Sequence, residues 1–131
     1  MITRISAVPA VAAAAMLVAA PAHAHHALAV QYHVDREITV DGVVERLMLG
    51  NPHVRIQLRV QGANGGESWI AEGRPHTALL RNGWTGSEIE PGTRVTIVGH
   101  PAKDGSSIVV LRRAYLPDGR EVWGTRADDS R

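Results

Sequence analysis

Seven histidines mark this chain, and four of them fall inside "AHAHHALAVQYH", residues 22–33. What they could do depends on where processing leaves the chain's first residue. A cut after Ala24 makes His25 that residue, and its free amine and ring Nδ1 can close one chelate ring on a metal. An α-amine with a pKa of about 7.7–8.0 gives up its proton readily when a metal competes. One more imidazole completes the planar nitrogen set that Cu(II) prefers, and copper heads the divalent affinity order. Copper is therefore the cofactor to expect, if any.

The further imidazole has four sources: His26, His33, His53 and His76. His26 is a poor second ligand in an extended chain, where neighbouring side chains point to opposite faces. His53 opens a strand pattern and His76 falls in a first helical turn. Each follows a proline that restricts the local backbone. A cut after Ala22 exposes His23-Ala24-His25 instead, a different copper and nickel chelate built on deprotonated backbone amides. The His25 arrangement resembles the histidine brace of exported copper proteins. The plainer alternative is a set of solvated terminal histidines, with His53, His76 and His100 serving in turns.

Glu72, Arg74 and His76 bring a carboxylate, a guanidinium and an imidazole within five residues. Glu72 could orient His76, or it could be an ion-pair partner or a cap for the helix that starts at Pro75. Trp69, Trp84 and Trp123 either line a groove or, with no phenylalanine in the chain, fill the core. His53, Glu72, Arg74, His76 and Trp84 are the candidate ligand-binding residues. No catalytic residue is expected. No serine sits in a Gly-x-Ser-x-Gly elbow, and "GANGGE" lies in a hairpin rather than before a helix. No Asp/Glu pair is spaced for acid–base work.

The segment ahead of the histidines sets an expected address. Met1-Ile-Thr-Arg4 is a short positive start, Val8 to Ala20 is apolar, and two small-x-small sites follow at Ala20-Pro21-Ala22 and Ala22-His23-Ala24. That layout predicts a secretory signal peptide over 1–24, with an apolar run too short for the ~20 residues of a membrane span. The remainder is one small domain over 25–124 followed by a polar tail at 125–131. It would bury roughly 65% of its unfolded surface. Basic and acidic residues number 14 and 13, and one of the basic ones, Arg4, lies in the leader. This balance argues against a nucleic-acid partner. Export without any cysteine points to a bacterial periplasm.

The elements that must position these residues read as β. "EITVDGVVERLML" (37–49) shifts phase near Gly42, which suggests a bulge there. "HVRIQLRV" (53–60) alternates cleanly, with Val54, Ile56, Leu58 and Val60 facing inward. A turn at Asn64-Gly65-Gly66 leads into "SWIAE" (68–72). "RPHTALLRNGW" (74–84) predicts two turns of helix, with Gly83 just past its end and Trp84 packing back on Leu79. Strands follow at 90–100 and 106–116, and Pro117-Asp118-Gly119 turns into a last hairpin. The order predicts a mainly β fold: a five-stranded OB-like barrel, one short helix between strands 3 and 4, and a C-terminal hairpin arm.

"HHA", "VDGVVERLMLGNPHVRIQL", "WIAEGRPHTALLRNGW", "PGTRVTIVGHPAKDG" and "LPDGR" together resemble a family of small exported bacterial proteins that carries a domain-of-unknown-function label. The resemblance implies a secreted, single-domain β-protein and no assigned activity. Members usually carry an aromatic residue soon after the His pair, where this chain has Leu28-Ala29-Val30. The expectation is a non-catalytic periplasmic binding or accessory module that holds a small molecule or a periplasmic protein. Copper handling through His25 is the alternative, with copper redox catalysis behind it.

Overall fold

The computed structural model describes residues 22–62, 64–81 and 83–123, and of 22–26 the backbone alone. The expected tail at 125–131 and most of the expected leader lie outside the described residues. Helix α1 (Ala22–Gln31) precedes strands β1 (Ile38–Met48), β2 (Arg55–Gly62) and β3 (Gly65–Glu72). Helix α2 (His76–Arg81) follows, and then β4 (Arg94–Pro101), β5 (Ile108–Tyr115) and β6 (Glu121–Trp123). The sheet runs β3-β2-β1-β4-β5-β6, and β3 pairs a second time with β5. That parallel seam, Ile70–Glu72 against Ile108–Val110, closes five strands into a barrel; the other four seams are antiparallel. The fold is the OB-like barrel expected, with its short helix between β3 and β4 and with β6 as the added arm.

Alternation builds the core. Along β2 and the residue before it, Val54, Ile56 and Leu58 are fully buried, while Arg55 and Arg59 face water. Val95 and Ile97 from β4, and Val109 and Ala114 from β5, meet them inside the barrel. Each large aliphatic side chain taken wholly out of water contributes about 1.5–3 kcal/mol. This interior dominates the fold's stability.

In β1 the bulge falls three residues beyond the expected position. Val40, Gly42 and Val44 share the inward face and Val43 points out; the register slips between Val44 and Arg46. Gly42 serves a different purpose. A Cβ there would stand 2.8 Å from the carbonyl oxygen of Arg59, so the missing side chain lets β1 and β2 pass closely.

Helix α2 is shorter than the predicted span because both ends are held by specific bonds. At its start the Asn51 side-chain oxygen accepts from the Thr77 amide and hydroxyl, at 3.4 and 3.2 Å. At its end the Trp84 amide donates to the Leu79 carbonyl and the Gly83 amide to that of Leu80, both at 3.0 Å. Gly83 has φ +78°, the left-handed stop that this bond pair requires. His100 is a strand residue rather than a turn residue. It pairs with Val110, and its Nδ1–H donates to the Arg36 carbonyl at 2.8 Å. No described helix is long and apolar enough to cross a membrane.

Candidate ligand-binding cleft

Beyond the Arg55–Glu72 pair the β2–β3 ladder continues as a looser clasp. The Gly73 amide donates to the Val54 carbonyl at 2.8 Å, Val54 to Arg74 at 3.0 Å, and His76 to Gly50 at 3.0 Å. The clasp sets His53, Glu72 and Arg74 at one end of the barrel. Opposite it, the link from α1 to β1 is tied to the β4–β5 turn. The His33 amide donates to Pro101 and the Lys103 amide to Gln31, each at 2.9 Å, and Tyr32 bridges Ala102. These ties hold Gln31 and Tyr32 as a second wall, while Val110, Leu111 and Arg112 of β5 form the third. Together with Trp123, they enclose a cleft of about 300 Å³.

Glu72 joins the walls. Its Oε2 accepts from the Tyr32 hydroxyl at 3.0 Å, and its Oε1 accepts from Arg55 Nε at 2.9 Å. Burial, then the hydrogen bond to Glu72 and that carboxylate's charge, push the Tyr32 phenol up to about 12. Tyr32 is therefore a neutral donor near pH 7, held against a carboxylate, which is poor equipment for a general base. His53 Nδ1 lies 3.1 Å from the Gly73 carbonyl oxygen. A carbonyl only accepts, so Nδ1 carries the proton and the neutral ring keeps its lone pair on Nε2.

The apolar side of the cleft rests on a close fit. A Cβ at Gly73 would stand 2.3 Å from a ring carbon of Trp123, so only glycine lets that indole settle against the clasp. Trp84 meets the Trp123 ring edge-on, with centroids 4.8 Å apart, and its Nε1–H donates to the Val122 carbonyl at 2.9 Å. Trp84 supports the tryptophan of the cleft and is not itself in the lining.

Of the residues singled out from sequence, His53, Glu72 and Arg74 line this one cleft. His76 stands beside it on the first turn of α2, outside the lining, and Glu72 bonds to Arg55 and Tyr32 rather than to His76. His33 lies 4.0 Å from Asp35. The side chains of His25 and His26 lie outside the described residues, and among the described residues no three His, Asp or Glu are grouped as a metal site. Sequence reasoning missed Tyr32, Arg55, Arg112 and Trp123. Arg55 was within reach, because Gly62 pairs with Gly65 and counting back along that hairpin sets Arg55 opposite Glu72. The other three arrive from distant parts of the chain and leave no local signal.

No curated protein matches the chain. The model of a family of unknown function, DUF6152, matches residues 13–111, from inside the apolar N-terminal stretch to the middle of β5. That span takes in α1, the whole clasp and most of the cleft wall, leaving out Arg112 and Trp123. The chain belongs to the DUF6152 family.

Proposed function

We propose that this protein is an exported, non-catalytic binding module that holds a small ligand in the cleft between Tyr32, His53, Arg74, Arg112 and Trp123. The observation that carries the reading is the meeting of three separate wall segments around one concavity, with an anchored carboxylate, oriented donors and an apolar side. Concave sites with a few placed polar groups are where small ligands bind, and about 300 Å³ is the small end of their range. Export rests on the positive start, the apolar run and the small-x-small sites before His25. The intact mass of protein recovered from a bacterial periplasm should correspond to a chain beginning at His23 or His25; retention of Met1 overturns export. Binding is tested by amide NMR against a set of small neutral, cationic and anionic fragments. Bound fragments should move the amides of Gly73, Arg74, Val110 and Arg112 and the Trp123 indole N–H. Fragments that consistently map elsewhere, or nowhere, overturn the reading.

One observation favours copper handling as a second reading. The carbonyl-fixed tautomer leaves His53 Nε2 as a ready metal donor, the orientation that outer-shell hydrogen bonds give to ligating histidines. Cu(II) titration of the processed protein should then show tight binding. That binding should weaken both in His53→Ala and in a form with one extra alanine before His25. Equal binding by all three forms removes this reading.

A further inference from the structure

Resting on the cleft reading above, we infer that the ligand is a small organic carboxylate, its charge met by Arg112 and Arg74 and its apolar body lying along Val110, Leu111 and Trp123. The argument is one of charge and shape. The cleft lining holds two guanidinium groups against a single carboxylate, Glu72. That carboxylate is itself matched by Arg55, which approaches from β2 and lies outside the lining. Positive charge is therefore in excess on the wall, although basic and acidic residues across the whole chain nearly cancel. Arg112 is exposed on β5, and no ion pair to it occurs among the described residues.

Other arginines show the contrast. Arg59, Arg94 and Arg113 each reach a carboxylate, on Glu45, Asp41 and Glu37 respectively. Even the wider concavity beside β1, of about 560 Å³, is lined by two such neutralised pairs. The Arg112 cleft is the one whose charge awaits an acid. A guanidinium offers a planar fork that fits a carboxylate with two parallel hydrogen bonds. The apolar side favours a ligand with a hydrocarbon or ring body over a fully hydrated inorganic anion.

The probes are benzoate, its neutral isostere benzamide, and inorganic phosphate, each titrated into the whole chain as recovered from the host and followed by amide NMR. Benzoate should move the Gly73, Arg74 and Arg112 signals and bind about tenfold or more tightly than benzamide, the value of one charged hydrogen bond. Arg112→Gln should remove most of that preference, while Arg81→Gln, an exposed change on α2, should leave it intact. Thermal unfolding of both variants separates lost binding from lost folding. Equal affinity for benzoate and benzamide, with the cleft amides moving, overturns the carboxylate inference and leaves the cleft reading standing. Phosphate binding in preference to benzoate also overturns it. Silence from all three probes overturns it too, and the cleft reading then falls only if the broader fragment set is equally silent.

Discussion

Tyr32 and Gly73 show how single residues serve barrel and cleft together. The Tyr32 phenol is buried and donates to Glu72, so the fold favours its neutral form. Its folded pKa of about 12 lies above the ordinary value near 10. The stabilisation is therefore complete below pH 10 and drains away as pH rises towards 12, amounting to about 2–3 kcal/mol. Urea unfolding at a series of pH values should show this alkaline loss in the native protein and much less of it in Tyr32→Phe. Identical slopes for the two would mean that the phenol is not held as described. Gly73 makes a steric prediction. Alanine there would press on the Trp123 ring and should cost about 1–3 kcal/mol through overpacking. A lowered Tm together with altered indole fluorescence is the expected outcome, and an unchanged Tm counts against the close fit.

Among the elements, α2 depends most on a neighbour. Six residues are too few for a helix to persist in water by itself. Its first turn is capped from the β1–β2 loop by Asn51, and its last is tied off through Gly83 and Trp84. Asn51→Ala should cost about 1 kcal/mol, the usual value of a lost cap. Hydrogen exchange should show the Leu79 and Leu80 amides opening faster while those of β2 hold. Uniform acceleration through β2 would mean that helix and barrel open as one unit. The β2–β3 hairpin is the opposite case. Its turn sets a register that brings Arg55 to Glu72 with no help from elsewhere in the chain.

Across the whole molecule, closure of the barrel decides both stability and site. The parallel seam of β3 and β5 sets Glu72 beside Val110 and brings Arg112 to the clasp. Ile97, fully buried on β4, lies inside the ring of strands so closed. Ile97→Ala should cost about 2–5 kcal/mol, lowering the urea midpoint while circular dichroism and tryptophan fluorescence still change together, as one cooperative unit requires. Separated transitions would show that barrel and cleft unfold independently.

Local pattern was enough to reveal most of the strands, the Asn-Gly turn, the α2 stop at Gly83 and the barrel order, since period-two burial and turn residues act between near neighbours. It was also enough to bring His53, Glu72 and Arg74 forward, because the two halves of the clasp flank a single hairpin. The bulge at Glu45 and the purpose of Gly42 could not be read, because both depend on how closely β2 passes. Nor could Tyr32, Arg112 and Trp123. Loop closure over 40 or more positions brought Tyr32 to Glu72, and distance along a chain carries no mark of which far residue will arrive. Side chains for a barrel were thus written locally, and the choice of which of them face one another across its mouth was left to the closing of β3 onto β5.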